Sequence, residues 1–483
     1  MKPTATQPVS PGRRRFLRGA AALGLVPVLG VPAVQASDRP ASRRARKLIF
    51  MVSDGMNHGT LALAEQSRRL EGDETAWMAL YRRPGVHRAL MGTRSASALV
   101  PDSAAAASAW SIGQPVNNRS LNVLPDGGRP MPLWPLAAAH GCATGLVTTT
   151  RITHSTPAAF VCNRANRDEE DQIAEDYLAR KVDVLLGGGQ DHFDPASRKD
   201  GLDLYAAYRV AGYHLVTDAA GVQAGVPAGK KLLGLFYPSH LPYSVDSRHD
   251  PSLRSTVPTL AAMTDVALQQ LDTLGDRCVL MVEGGRVDHA GHGNDAAAIL
   301  NDQLAFDDAV ALVLKYQEEH PDTLVVLCTD HGTGGCMFNG LGSNYTGSEP
   351  ALGYLSSLEY SFEALASRFR EAHSKAEVEA VIQTAFQIEP TSVGLADYYA
   401  VHEAWLTKRA GNLAVANALG RLLVPYTAVG WTSGQHTGDW VEFAALGPGS
   451  ERLPQIMANT DVHDWLLASM GWSPRNSPGQ AVL

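Results

Sequence analysis

The chain has 483 residues, of which 45% are hydrophobic and 19% are charged, and its formal net charge at pH 7 is −8. This length and composition are typical of a globular protein with one large domain and insertions, or with two to three smaller domains. The excess of negative charge argues against general nucleic-acid binding, because proteins with that function carry basic surfaces that neutralise phosphate groups.

Residues 1–36 have the pattern of an export signal. Arginines at 13–15 precede Phe16 and Leu17, an apolar stretch covers 20–34, and small residues follow as a cleavage site. Paired arginines before Phe-Leu predict a twin-arginine signal peptide, export by the twin-arginine machinery and a periplasmic or secreted protein. A membrane anchor is the alternative interpretation, but the apolar stretch is shorter than the roughly 18 residues that spanning requires.

Short apolar runs alternate with helical patterns after a polar linker over 37–46. This alternation predicts a three-layer α/β/α sandwich, in which helices cover both faces of a large, mostly parallel central sheet. No later segment is long and apolar enough to span a membrane, so none is expected to do so in the mature form. The first predicted strand lies in 47–55 and ends in a turn at Asp54 and Gly55. The other predicted strands are 145–150, 182–186, 278–282, 324–328 and 441–446, and the clearest helices are 171–179 and 259–274.

The interval 340–429 interrupts the alternation with several helical patterns. Ser374 and Glu377 have the spacing of a capping box, which predicts the start of one helix. The chain returns from this interval to His436 and a further strand. We therefore predict a helical insert, or cap, within a single domain over 47–483.

Side chains that can bind metal ions follow three of the predicted strands. In a doubly wound sheet, ligands bind beyond the carboxyl ends of the strands, so these side chains are expected to share one cleft. Each has a simpler interpretation on its own, since Asp-Gly is commonly only a turn. Their shared placement, with further ligands in the run 283–292, favours a hydrolytic metal site. The residues are Asp54, Glu283, Asp288, His292, Asp330 and His331.

A serine lies at the predicted start of a helix. Pro101 and Asp102 end an extended segment, and the alanines after Ser103 predict a helix that begins there. Asp102 or Ser103 could serve only as an N-cap. A serine at the positive end of a helix is also placed to attack phosphorus and then hold a phosphoryl group, and a metal ion beside it would stabilise the alkoxide. The predicted metal ligands favour this role as a nucleophile.

Six motifs together resemble the alkaline phosphatase family, and they occur in the family's order. They are Asp54-Gly55-Met56, Asp102-Ser103-Ala104-Ala105, Thr156-Pro157-Ala158-Ala159, Glu283 with Asp288 and His292, Asp330-His331, and Gln435-His436-Thr437-Gly438. The resemblance extends from about residue 47 to residue 449. It implies a catalytic domain that hydrolyses phosphate monoesters through a phosphoseryl intermediate on Ser103, with two zinc ions and one magnesium ion, and it suggests a homodimer.

The resemblance also implies which residues bind each ion. The first zinc would be held by Asp288, His292 and His436, the second by Asp330 and His331, and the magnesium by Thr156 and Glu283, with Asp54 bridging the second zinc and the magnesium. This division agrees with general ligand preferences, because zinc accepts imidazoles and magnesium prefers oxygen donors.

Further positions around these motifs are candidates for phosphate binding and for tuning the third metal. A bidentate arginine is expected at the phosphate; the spacing from Thr156 favours Arg167, and Arg164 is the alternative. His154 and His289 stand where the best-known bacterial members carry aspartate and lysine. Both could be packing residues, but we predict that they tune the magnesium site and its waters, which leaves the identity of the third metal open.

Three other functions compete with this prediction. A phosphodiesterase could use the same scaffold, since pocket shape decides how a second ester group is received. A sulfatase would need a Cys or Ser followed by Pro and Arg, a pattern that Ser103 and the following alanines lack. A non-catalytic protein that binds metal or phosphate would have no need of Ser103.

Overall fold

One large sheet forms the centre of the structure, a computed structural model that describes residues 44–473. The predicted signal peptide over 1–36 and most of the predicted linker over 37–46 lie outside the described residues. The strands of the described part are β1 (Lys47–Val52), β2 (His87–Gly92), β3 (Ala143–Arg151), β4 (Val184–Gly188), β5 (Tyr213–Val216), β6 (Lys231–Leu235), β7 (Cys278–Glu283), β8 (Thr323–Cys328), β9 (Gly332–Thr333), β10 (Met337–Phe338), β11 (Val429–Gly430), β12 (His436–Thr437), β13 (Val441–Leu446) and β14 (Ile456–Ala458).

Ten of these strands form the central sheet, in the order β14-β2-β13-β8-β1-β7-β3-β4-β6-β5. Strand β13 pairs antiparallel with both of its neighbours, β2 and β8, whereas the other neighbouring pairs are parallel. Every residue of β1, β7 and β8 is buried. Their continuous apolar sequences are those expected of strands that are covered on both faces.

Helices connect the strands, and no helix among residues 44–473 is long and apolar enough to cross a membrane. The helices are α1 (His58–Leu70), α2 (Ala76–Leu80), α3 (Ser103–Ile112), α4 (Leu133–Ala139), α5 (Ser155–Ala159), α6 (Glu170–Ala179), α7 (Leu204–Val210), α8 (Ala219–Ala224), α9 (Ser244–His249), α10 (Pro251–Thr256), α11 (Leu260–Leu274), α12 (Arg286–Gly293), α13 (Ala296–Glu319), α14 (Ser348–Ser356), α15 (Phe362–Glu371), α16 (Lys375–Phe386), α17 (Ser392–Leu406), α18 (Asn412–Thr427) and α19 (Asp461–Met470).

The apolar side chains form a core on each face of the sheet. Along β1, Leu48, Phe50 and Val52 belong to one apolar cluster, and Ile49 and Met51 belong to the other. The first cluster includes side chains of α3, α4, α6 and α19, and the second includes side chains of α1, α11 and α13. This arrangement confirms the predicted three-layer α/β/α sandwich with a large, mostly parallel sheet.

The predicted helical insert before His436 is present as α14 to α18, between β10 and β11. Its apolar side chains join the same cluster as those of α1 and α13. The capping box at α16 is confirmed: the Ser374 hydroxyl accepts from the Glu377 amide at 3.2 Å, and the Glu377 carboxylate accepts from the Ser374 amide at 2.8 Å. The insert therefore packs against the α/β layers through a shared core.

Strand register brings the polar residues at three strand ends to one place. Val52, the last residue of β1, pairs with Glu283 of β7 on one side and with Cys328 of β8 on the other. Asp54 and Asp330 each lie two residues beyond these paired positions. The carboxyl ends of the three central strands thus present their side chains to a common cleft.

Candidate active site and metal centre

Helix α12 supplies one side of the cleft. Asp288 and His292 are four residues apart and therefore share a face of this helix. The Nε2 atom of His292 lies 3.5 Å from one Asp288 carboxylate oxygen, and the Nε2 atom of His436, on β12, lies 3.6 Å from the other. The two Nε2 atoms are 3.0 Å apart. The structure therefore brings together the three residues that sequence analysis assigned to the first zinc.

Hydrogen bonds at the opposite ring nitrogens fix the tautomers of these two histidines. Nδ1 of His292 donates to the Gly434 carbonyl at 2.8 Å, and Nδ1 of His436 donates to the Pro101 carbonyl at 2.7 Å. Burial lowers the pKa of His436 to about 4, which keeps this ring neutral. In the neutral form of each ring, Nε2 presents a lone pair, and the two lone pairs face each other beside Asp288. A cation between them turns this repulsion into coordination, so the donor set fits zinc.

A second group of donors surrounds His331. The Nε2 atom of His331 lies 3.1 Å from an oxygen of Asp330 and 3.7 Å from an oxygen of Asp54. Within residues 44–473, Asp54 Oδ1 and Asp330 Oδ2 are buried and accept no hydrogen bond. Burial raises the pKa of Asp54, and the nearby carboxylates raise it further. Buried carboxylate oxygens without a donor are expected where a cation binds, so this group also fits a metal ion.

A third group adjoins the second through Asp54. The Thr156 hydroxyl donates to Asp54 Oδ2 at 3.3 Å. Glu283 accepts hydrogen bonds at Oε2 from the hydroxyls of Thr148 and Thr150, whereas its Oε1 is buried and has no partner among the described residues. Burial raises the pKa of Glu283 to about 7. The hydroxyl and carboxylate oxygens fit a magnesium ion, which prefers oxygen donors.

Two of these residues escaped the sequence analysis. Thr148 and Thr150 belong to a run of three threonines at the end of β3, and they hold the Glu283 carboxylate in place. Thr333 was missed as well, although its hydroxyl donates to Asp288 Oδ1 at 2.5 Å. The threonine run at a strand end was a usable signal, because such positions face the cleft of a doubly wound sheet.

His154 lies beside the third group and is oriented by Arg167. Its ring nitrogen, an oxygen of Asp54 and an oxygen of Glu283 lie within 4.8 Å of one another. Arg167 Nη2 approaches His154 Nε2 at 3.0 Å. A guanidinium group can only donate, so Nε2 accepts and Nδ1 carries the ring proton. Burial, together with Arg167, lowers the pKa of His154 and keeps the ring neutral. Such a ring can donate from Nδ1 but has no lone pair there for a metal.

His154, His240 and His289 form a cluster of three rings. The centroids of His240 and His289 are 4.3 Å apart, and His154 lies 5.6 Å from each. Arg286 Nη1 lies 2.9 Å from His289 Nδ1, and Arg151 Nη1 lies 2.5 Å from His240 Nε2. Burial lowers the pKa of all three histidines. His240 and Arg151 were missed because they lie outside the sequence motifs. Arg286 was missed although it lies within the run 283–292, because a guanidinium group is not a metal ligand.

The predicted nucleophile, Ser103, adjoins the second group of donors. Ser103 is the first residue of α3, and Asp102 is its N-cap, accepting from the Ala105 amide at 3.0 Å. The Ser103 hydroxyl is 3.3 Å from His331 Nε2 and 2% of the residue is exposed. The N-cap interpretation is therefore right for Asp102, while Ser103 faces the second group of metal donors.

Only one of the two candidate arginines contacts the segment that carries Ser103. Arg167 Nη1 donates to Asp102 Oδ2 at 3.0 Å. Arg164 instead forms two hydrogen bonds with Asp176, at 2.8 Å and 2.7 Å, on α6. The structure thus brings Arg167 to the cleft beside Ser103 and holds Arg164 in a half-buried ion pair with Asp176.

Among residues 44–473, three groups of at least three His, Cys, Asp or Glu side chains are close enough together to hold a metal ion, and all three lie in this cleft; the third consists of Asp54, Glu283 and His154. Fold and site together define a metal-dependent hydrolase of the α/β class. The sequence model of the alkaline phosphatase family matches residues 45–471. The chain therefore belongs to the alkaline phosphatase family and is a phosphoric monoester hydrolase, as the resemblance predicted.

Individual relatives agree with this membership. The chain is 33% identical over 369 residues to alkaline phosphatase 3 of Bacillus subtilis (strain 168), and the aligned region covers 75% of each chain. It is 29% identical over 338 residues to the alkaline phosphatase of Escherichia coli (strain K12), covering 61% of this chain and 71% of that one. The crystal structure of Thermus thermophilus alkaline phosphatase superposes with a TM-score of 0.83 at 33% identity, covering 89% of this chain and 92% of that chain.

Proposed function

We propose that this protein hydrolyses phosphate monoesters through a phosphoseryl intermediate on Ser103. The observation that carries the proposal is the position of the Ser103 hydroxyl, 3.3 Å from His331 Nε2 and at the N-terminus of a ten-residue helix. A helix N-terminus stabilises negative charge, and a serine there can accept a phosphoryl group. A protein that only bound metal or phosphate would have no use for this hydroxyl.

Two zinc ions and one magnesium ion are the proposed cofactors. Asp288, His292 and His436 would hold one zinc ion, Asp330 and His331 the other, and Thr156 and Glu283 the magnesium ion, with Asp54 shared between the last two. When bound, these ions supply positive charge that favours the serine alkoxide and the departing oxygen. The support for three cations is the set of buried carboxylate oxygens and facing imidazole lone pairs described above.

The protein residues perform the remaining work. Arg167 donates a hydrogen bond to Asp102 at 3.0 Å. It would also donate hydrogen bonds to two phosphate oxygens and so align the phosphorus with Ser103. The serine oxygen forms a bond to phosphorus as the bond between phosphorus and the ester oxygen breaks. The leaving alkoxide takes up a proton and is released as the alcohol. Water then cleaves the phosphoserine, which releases inorganic phosphate and restores the hydroxyl. Both steps require proton loss from an attacking oxygen, so activity is expected to rise at alkaline pH.

The neutral histidines beside the third group are proposed to tune it. His154 keeps its proton on Nδ1 because Arg167 occupies Nε2, and His289 keeps its proton on Nε2 because Arg286 occupies Nδ1. Each can therefore donate to a water or phosphate oxygen without replacing a ligand. This role leaves the choice of third metal to the oxygen donors.

Export is a separate proposal that rests on residues 1–36. Their twin-arginine pattern supports transport by the twin-arginine machinery and a periplasmic or secreted location. A homodimer is proposed on family resemblance. Small phosphate monoesters are the proposed substrates.

Ser103→Ala is the central test. We expect turnover of p-nitrophenyl phosphate to fall by at least about 10³-fold, since the residue forms the covalent bond, while zinc content stays unchanged. Ser108→Ala is a matched control in the same helix, where the native hydroxyl accepts from the Asn122 amide at 2.9 Å. That variant should retain turnover. Undiminished turnover in Ser103→Ala would contradict the nucleophile assignment.

A phosphodiesterase is the competing activity on this scaffold. Rates on p-nitrophenyl phosphate and bis(p-nitrophenyl) phosphate, measured side by side, separate the two. We expect the monoester to be hydrolysed faster. A preference for the diester would show that the pocket receives the second ester group and would overturn the proposed substrate class.

A further inference from the structure

The helical insert contacts the first turn of α12 through a buried arginine. Arg286, the first residue of α12, is 3% exposed. Its Nη2 donates to Glu363 Oε2 at 2.7 Å, and its guanidinium carbon lies 3.7 Å from the centroid of the Tyr243 ring. Glu363 lies in the first turn of α15, within the insert. The insert therefore supplies a carboxylate partner for a buried charge at the start of α12.

The insert also contacts the last turn of α12. Asn417 of α18 donates from Nδ2 to the backbone carbonyl of His292 at 2.7 Å. The last four carbonyls of a helix lack intrahelical partners, and α12 ends at Gly293, so Asn417 satisfies one of them. A Cβ on Gly434 would collide with Asn417 Oδ1 and lie 3.0 Å from the His292 carbonyl. Asn417, His292 and Gly434 are thus in close mutual contact.

Close backbone packing reinforces this end. A Cβ on Gly420, one turn along α18 from Asn417, would lie 2.5 Å from the backbone carbonyl of Asn294. Only glycine fits there without a shift of one helix. Helix α18 therefore lies directly against Asn294, the residue that follows the end of α12.

We propose that Asn417 and Glu363 are positioning residues, which hold the two ends of α12 so that Asp288 and His292 keep the orientation needed to bind zinc. The proposal rests on the proposed function, in which these two side chains are zinc ligands. Asn417 and Gly434 fix His292 from two directions, since one bonds its backbone and the other accepts from its ring. Without the Asn417 amide, the His292 carbonyl must turn toward water, and the last turn of α12 loosens with the ring attached to it.

Asn417→Ala tests the contact at the last turn of α12. We expect the affinity of the metal-free protein for one Zn²⁺ ion to fall by about 10-fold, near the lower end of the effect of removing a group that orients a metal ligand. Native mass spectrometry at buffered free Zn²⁺ counts the ions bound, independently of turnover. The variant's kcat should fall at limiting zinc and recover at saturating zinc, with KM nearly unchanged. A role confined to folding would not produce this zinc-dependent recovery.

Asn412→Ala is the matched control. Asn412 lies on the same helix, but its side chain accepts from Trp405 within the insert and does not bond α12. Asn417→Asp is the second variant if Asn417→Ala does not fold, because an aspartate of similar size cannot donate to the carbonyl. If the folded Asn417 variant binds zinc as tightly as Asn412→Ala, the positioning role is wrong.

Glu363→Ala tests the other end of α12, with Glu371→Ala of the same helix as its control. The Glu363 side chain is 64% exposed, so the expected loss of zinc affinity is smaller, about threefold. Equal affinities for Glu363→Ala and Glu371→Ala would remove Glu363 from the proposal. Asp288→Asn separates this idea from the proposed function: if that variant binds zinc as tightly as the native protein, the ligand assignment itself fails.

Discussion

Hydrogen-bond partners decide what each histidine in the cleft can do. His292 and His436 donate from Nδ1 to backbone carbonyls, which leaves their Nε2 lone pairs free for a metal. His154 and His289 face arginines, which can only donate, so one nitrogen of each ring is already occupied as an acceptor. The same residue type thus offers candidate metal ligands in one part of the site and candidate proton donors in another.

Arg167 gives a prediction at this scale. Arg167→Ala should reduce kcat/KM for p-nitrophenyl phosphate by roughly 10- to 100-fold, the range that corresponds to losing a charged hydrogen bond. Arg167→Lys should recover only part of the loss, because an ammonium group keeps the charge but lacks the paired donors of a guanidinium group. Steady-state kinetics on both variants measure the effect.

Arg164→Ala is the comparison for that prediction. Arg164 bonds Asp176 and does not reach Asp102, so its loss should change kcat/KM by less than about twofold. A larger effect in Arg164→Ala than in Arg167→Ala would exchange their roles.

At the level of elements, the sequence predicted the placement of the candidate metal-binding side chains that follow the ends of strands. Asp54, Glu283 and Asp330 could be placed together because parallel strands end at one edge of a sheet, and the register of β1 with β7 and β8 has that consequence. His240 could not be placed, and the contacts of Arg286 with His289 and Glu363 could not be predicted, although Arg286 lies within the run 283–292. Their contacts with the cleft arise from the packing of loops and of the insert, which leaves no periodic pattern in the sequence.

Asp295 links two helices and gives a prediction for this scale. Its carboxylate accepts from the Ala298 amide of α13 at 3.0 Å and from the Phe362 amide of α15 at 2.6 Å. Burial raises its pKa to about 7, against 3.8 for an ordinary aspartate. The folded protein therefore holds a proton that the unfolded chain has released, and the free energy of unfolding falls as the pH rises from about 4 to about 7.

Asp295→Asn should remove this contribution, because an asparagine side chain does not titrate. As the pH rises from about 4 to about 7, the unfolding free energy of the native protein should fall relative to that of the variant. Above about pH 7.5 the difference between the two should stay constant. Denaturant titrations at several pH values measure it. Asp203→Asn, at the exposed N-cap of α7, is the comparison. An equal pH dependence in both pairs would contradict the prediction.

Across the whole molecule, the metal cleft opposes folding unless cations fill it. Four carboxylates meet there, each at most 4% exposed, and the three central strands converge on them. They are Asp54, Glu283, Asp288 and Asp330. Packing on both faces of the sheet holds these groups in place, so the free energy gained from the two cores offsets the cost of burying them. Metal binding then adds to the stability of the fold, because the unfolded chain lacks this arrangement.

Metal removal should therefore lower the unfolding temperature by an amount that grows with pH. Burial raises the pKa of Glu283 to about 7 and raises that of Asp54 above its ordinary value, so the metal-free folded protein binds protons that the unfolded chain releases. Its free energy of unfolding falls as the pH rises through about 7, whereas bound cations displace those protons and remove the dependence. Calorimetry with and without EDTA, from about pH 5.5 to about pH 8.5, measures the gap. Glu283→Gln should reduce the difference in unfolding temperature between the metal-bound and metal-free proteins at high pH. If that difference in the native protein is constant with pH, these carboxylates do not titrate as a metal-linked group.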